Sequence, residues 1–146
     1  MTSTSAIESR WTETTKALLL GFVGYNVLLH QAFVRGIGAP EGASQLMMWV
    51  AVASLVAYSV ARSGLTAGYW LAAGTGLLSL VFNGVIGSGV LGSLPNDGLS
   101  IGFVLGPAAN ALYAVVLVVV GYLASREHGR QREVGGTSGE RAAGAQ

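Results

Sequence analysis

Four long apolar stretches free of Asp, Glu, Lys and Arg occupy most of this chain of 146 residues. Each is 17 to 25 residues long, and about 17–25 helical residues span the ~30 Å hydrocarbon core of a bilayer. Only 10% of all residues are charged, against about 25% in soluble domains. The pattern predicts an all-α integral membrane protein, an up-down bundle of four transmembrane helices at residues 17–34, 45–61, 67–91 and 101–124.

Basic residues are distributed unequally around these stretches. On the four-span model, one side of the membrane holds seven of the eight and the other side holds only Arg35. Cytoplasmic loops carry the excess of Lys and Arg, so we expect both termini in the cytoplasm and a multi-pass protein of the cell membrane. The seven are Arg10, Lys16, Arg62, Arg126, Arg130, Arg132 and Arg141.

The two ends of the chain differ in character from the middle. Sixteen mostly polar residues precede the first stretch, and no clear small-residue cleavage site follows it; we therefore expect an uncleaved helix rather than a signal peptide. Residues 126–146 are rich in Gly, Arg, Glu, Ser and Ala. This composition predicts a disordered cytoplasmic tail, whose arginines next to the membrane are an orientation signal or contact anionic lipid. Residues 1–125 form the predicted transmembrane domain. The preference for Arg over Lys, with abundant Gly and Ala, suggests a prokaryotic source.

Uncharged polar residues are the candidates for a site, because the spans contain no acids or strong bases. On the predicted topology four of them come from three helices and lie near one depth, displaced toward the outer leaflet, given a rise of ~1.5 Å per residue: Asn26, His30, Asn83 and Asn110. Two interpretations remain open: a polar pocket, or hydrogen bonds that hold helices together. An intramembrane histidine also suggests function by default. The candidates are Asn26, His30, Gln31, Asn83, Asn110 and Tyr113.

Glycine is abundant, with 22 residues, and small residues let membrane helices approach closely. The glycines predicted to pack helices together are Gly84, Gly87, Gly102 and Gly106.

Metal and cofactor sites have little support. The chain has no cysteine, one intramembrane histidine cannot complete a four-ligand zinc site, and a haem would need a second axial ligand. We predict no cofactor, no metal, no catalytic residue and no nucleic-acid partner. Length and helix number are similar to those of small multidrug transporters and fluoride channels, but the membrane-embedded glutamate of the former and the phenylalanine pair of the latter are missing. No family is assigned.

These observations predict a non-enzymatic accessory or structural subunit, or a protein that binds a small ligand or lipid in its polar layer. Its partners are the lipid bilayer and either other membrane subunits or further copies of itself. The alternative is a small oligomeric transporter or channel that uses the polar layer, since four helices hardly enclose a pore alone. A membrane enzyme or redox component that uses His30 is a third possibility.

Overall fold

Four helices make up nearly all of the residues that the computed structural model describes, which are 3–35, 43–93, 106 and 108–143. Side-chain surroundings are described for residues 10–31, 45–84, 106 and 108–130. In chain order the helices are α1 (Ser3–Arg35), α2 (Ala43–Arg62), α3 (Thr66–Ser93) and α4 (Ala109–Ala143). The predicted all-helical class and helix number are therefore confirmed for this part of the chain.

The last helix differs from the prediction at its C-terminal end. α4 continues to Ala143, through most of the segment whose composition predicted disorder. Once a helix exists, each added residue gains a hydrogen bond without a new nucleation cost. Nε2 of His128 also lies 3.0 Å from the carbonyl oxygen of Gly64, in the turn before α3. This contact anchors the first turns beyond Ser125 to the bundle.

The helices form an up-down bundle in which α1 and α3 lie across a diagonal. α1 packs against α2 and α4, and α3 packs against the same two helices. A tight turn at residues 63–65 joins α2 to α3, and Gly64 adopts the positive φ of 76° that favours glycine at the end of a helix. As predicted for short connections, sequential helices are antiparallel.

Polar side chains lie inside this bundle and large apolar side chains lie on its surface. Asn26 and Asn110 are completely buried, whereas Leu28, Trp49 and Leu112 expose 67–70% of their area. Alanine fills half of the buried apolar positions, and larger side chains fill the other half. Buried Thr and Ser hydroxyls return hydrogen bonds to their own helices, as in the bond of 2.7 Å from Oγ of Ser54 to the carbonyl of Val50.

Two of the described helices contain segments long and apolar enough to cross a membrane. These segments are Gln45–Arg62 in α2 and Ala109–Arg130 in α4. The segment in α2 coincides closely with the second predicted span. The segment in α4 covers the C-terminal two-thirds of the fourth predicted span and continues beyond it to Arg130.

A buried amide layer as the candidate functional site

Asn110 of α4 lies at the centre of a buried polar layer and bonds to side chains of all three other helices. Its Nδ2 donates to Oδ1 of Asn26 in α1 at 3.3 Å and to the sulfur of Met47 in α2 at 3.4 Å. Its Oδ1 accepts a hydrogen bond from Oγ of Ser79 in α3 at 3.4 Å. One carboxamide offers both donors and acceptors, and here it uses them to connect four helices.

The layer continues along α3. Nδ2 of Asn83 donates to Oγ of Ser79 at 3.3 Å and to the Ser79 carbonyl at 2.7 Å. At the other end, Nδ2 of Asn26 donates to the carbonyl of Phe22 at 2.8 Å. The donors therefore run in one direction, from α3 through α4 to α1. We call Asn26, Ser79, Asn83 and Asn110 the amide layer; all four are buried.

One acceptor of the amide layer is left over. Oδ1 of Asn83 is buried and has no hydrogen-bond partner among the residues whose side chains are described. A buried carbonyl without a partner costs about 1–3 kcal/mol, so this atom is where the layer would take a water molecule or the N–H or O–H group of a ligand.

Tyr113, another predicted site residue, belongs to an aromatic stack beside the layer. Its ring stacks on Phe22 with centroids 4.9 Å apart and on Tyr25 at 6.1 Å. Its hydroxyl donates to the carbonyl of Leu18 at 2.9 Å, and the hydroxyl of Tyr25 donates to the carbonyl of Gly106 at 3.1 Å. Both hydroxyls tie α1 to the start of α4, so Tyr113 serves helix packing here.

His30 and Gln31 lie outside the buried layer. His30 is partly exposed and Gln31 is exposed, although His30 follows Asn26 by one helical turn. His30 therefore differs from Asn26, Asn83 and Asn110 in burial: those three side chains are buried, whereas His30 is partly exposed. It lies toward the C-terminal end of α1, where the bundle covers this face less than it covers Asn26.

The predicted packing glycines have different surroundings. Gly106 is buried. Gly84 is exposed, and a Cβ there would meet nothing within 4 Å, so close packing within one chain is wrong for this residue: it faces away from the other helices. The surroundings of Gly87, and Gly102 altogether, lie outside the described residues. Close helix contacts that the sequence did not single out occur at Gly68, Gly76 and Gly121.

The chemistry available in the layer is hydrogen bonding. Amide and hydroxyl groups neither give up nor take a proton readily near neutral pH. Within the part of the chain whose side chains are described, no three His, Cys, Asp or Glu residues lie close enough to hold a metal ion. The geometry therefore suits the alignment of helices or the binding of an uncharged polar group.

Three further residues contribute to this region without being among the predicted site residues: Tyr25, Met47 and Ser79. Of these, only Ser79 had a signal in the sequence. Ser79 lies four residues before Asn83, and this spacing marks a shared helix face. Met47 and Tyr25 carry no comparable signal, because an apolar helix offers many residues of their kind.

Comparisons of the chain with protein-family models, with curated proteins and with solved structures found no match. The function proposed below therefore follows from the geometry of the described residues and from the sequence.

Proposed function

We propose that this chain is a multi-pass protein of the cell membrane whose four helices all cross the bilayer. The observation that carries the proposal is its reversed polarity. In water, large exposed apolar surfaces are avoided; in lipid, apolar side chains face outward and polar groups find partners inside. Leu28, Trp49 and Leu112 face outward while Asn26 and Asn110 are buried at the centre.

The charge distribution supports an orientation with both termini in the cytoplasm. Trp11 near the start of α1 and Arg126 near the end of the apolar part of α4 line one cavity. His128 contacts the turn that follows Arg62, so the basic residues of three segments lie at the same end of the bundle. That end is the cytoplasmic end under the positive-inside rule.

The role that this architecture favours is that of a non-enzymatic accessory or structural subunit. The donors of the amide layer are used inside the bundle, because its side chains donate chiefly to one another and to the backbone. Such a layer fixes the relative rotation and depth of four helices, and a rigid apolar exterior is then available to other membrane subunits.

Fractionation and labelling test the membrane location and the topology together. The chain has no cysteine, so single cysteines can be introduced as unique labels. We expect the protein to pellet with membranes and to resist alkaline extraction. In intact cells, Asn96→Cys should react with a membrane-impermeant maleimide, and Ser63→Cys should react only after the membrane is opened. Protein in the soluble fraction, or the reverse labelling pattern, would contradict the proposal.

A second candidate, the oligomeric transporter or channel, is favoured by one observation. Within the described part of the chain the buried Oδ1 of Asn83 has no hydrogen-bond partner, and an open acceptor inside a bundle is a place where a polar substrate can bind. If this candidate is correct, proteoliposomes should show solute flux that Asn83→Leu abolishes. The matched variant Ser59→Ala, whose hydroxyl bonds its own helix on an exposed face, should retain that flux.

A further inference from the structure

The basic end of the bundle contains a cavity that is separate from the amide layer. It has a volume of about 250 Å³ and lies between α1 and α4, lined by Trp11, Leu123, Arg126, Glu127 and Arg130. We call it the basic-end cavity. Leu123 belongs to the apolar part of α4, and Arg130 is the last residue of its candidate membrane segment. The lining therefore changes from apolar to cationic along the helix axis.

The walls of the basic-end cavity are held in place by specific contacts. Oγ1 of the buried Thr15 donates to the carbonyl of Trp11 at 2.8 Å and lies 3.5 Å from the carbonyl of Val120, which joins α1 to α4. The guanidinium carbon of Arg126 lies 5.7 Å from the ring centroid of Tyr122, a cation–π distance. Trp70 of α3 supports Tyr122 from the side, with centroids 5.9 Å apart.

The charges in the cavity favour an anion. Arg126 and Arg130 are one helical turn apart and line the same cavity, and Arg guanidinium groups bind phosphate oxygens with paired hydrogen bonds. Glu127 contributes one negative charge to the lining, so the two arginines leave it with a net positive charge. Trp and Tyr rings are typical of the depth at which lipid head groups begin.

We infer that the basic-end cavity binds the head group of an anionic phospholipid of the phosphatidylglycerol type. Its phosphodiester is held by Arg126 and Arg130, and its acyl chains continue past Leu123 along the apolar exterior. This inference rests on the proposed membrane location. A choline head group would place a cation beside the two arginines and is therefore disfavoured.

The test uses the full-length protein in a nonionic detergent with Trp11 as its sole tryptophan, after Trp49→Phe and Trp70→Phe. Short-chain phosphatidylglycerol, added at constant detergent, should shift Trp11 emission saturably, and phosphatidylcholine should not. Arg126→Gln with Arg130→Gln should weaken binding by about tenfold or more, since each arginine near an anionic surface contributes on the order of 1 kcal/mol.

Matched controls separate this site from general charge attraction. Arg10→Gln with Arg62→Gln removes the same charge from two exposed arginines at the same end, outside the cavity lining, and should leave the affinity unchanged. Native mass spectrometry of the unmodified chain should show retained phosphatidylglycerol in preference to phosphatidylcholine, and this measurement does not depend on any variant folding.

Three results would overturn the inference: equal binding of both lipids, equal losses in the two double variants, or binding of soluble glycerophosphoglycerol as tight as that of the lipid. The last would identify a site for a free phosphodiester. A protein that pellets with membranes yet fails these tests refutes the lipid site alone, whereas a protein found in the soluble fraction refutes the proposed function.

Discussion

At the scale of single residues, the amide group is the chemical feature that organises the interior. Asn110 uses its two-sided carboxamide to bond to Asn26 and Ser79 on different helices. The i, i+4 spacing of Ser79 and Asn83 is typical of a shared helix face, but no spacing within a helix predicts which partner on another helix an amide contacts. The polar residues differ in burial. Asn26 is completely buried and belongs to the amide layer, whereas His30 is partly exposed and does not.

The interhelical bond of Ser79 can be separated from an ordinary hydroxyl contact. Ser79→Ala removes a donor to Oδ1 of Asn110 and an acceptor from Asn83. The free energy of unfolding should therefore fall by about 0.6–1.7 kcal/mol, from the average to the largest value found for interhelical hydrogen bonds in a membrane protein. Ser59→Ala removes only a bond to the carbonyl of Leu55 in the same helix and should change stability by less than about 0.5 kcal/mol. Unfolding in mixed micelles, followed by circular dichroism, measures both. Equal losses would contradict the structural role of the layer.

At the scale of the helices, packing depends on where a glycine faces rather than on how many glycines a helix has. Gly76 faces α4, and a Cβ there would lie 2.7 Å from both the carbonyl oxygen of Ala114 and Cγ2 of Val118. Gly74, two residues away on the same helix, has nothing within 4 Å of the same position. The sequence pattern marked Gly84 and passed over Gly76, because small residues recur all around α3.

This difference predicts opposite effects for two identical substitutions in α3. Gly76→Ala should separate α3 from α4 and reduce the free energy of unfolding by about 1–3 kcal/mol, the usual cost of overpacking. Gly74→Ala should leave stability unchanged or raise it by up to about 1 kcal/mol through helix propensity. Denaturation of the two variants side by side in the same detergent tests this. Greater damage from Gly74→Ala would mean that this face of α3 packs against another subunit.

At the scale of the whole molecule, the apolar exterior and the basic end are both features expected of a protein in a lipid bilayer. Lys16, at the basic end, donates from Nζ to Oε1 of Glu13 at 2.8 Å, and this hydrogen bond raises the pKa of the Lys16 ammonium. The positively charged form of Lys16 is therefore stabilised. Polar groups at the ends, apolar side chains around the middle and amides at the centre are the order that a bilayer selects.

A charge placed on the exterior distinguishes lipid from water around the bundle. Leu112 is 67% exposed in the middle of the fourth predicted span, and Leu65 is 47% exposed in the turn at the basic end. Leu112→Lys should impair membrane insertion, because a lysine at the centre of a membrane helix costs about 2.5–3.5 kcal/mol. Leu65→Lys should insert normally. A membrane flotation assay compares the two; normal insertion of both would indicate that Leu112 does not face lipid.

The helices, their number and their antiparallel order could be predicted from the amino-acid sequence. Apolar runs of this length favour helices, and short connections between them favour antiparallel neighbours. The sequence also marked Asn26, Asn83, Asn110 and Tyr113 as unusual. The packing of the helices was needed to show that Asn110 joins four helices, that His30 and Gly84 lie outside the packed interior, and that Trp11 and Arg126 line one cavity. These outcomes depend on the rotation of each helix about its axis. Hydrophobic periodicity sets that rotation in water, but a helix that is apolar on every side carries almost no such signal.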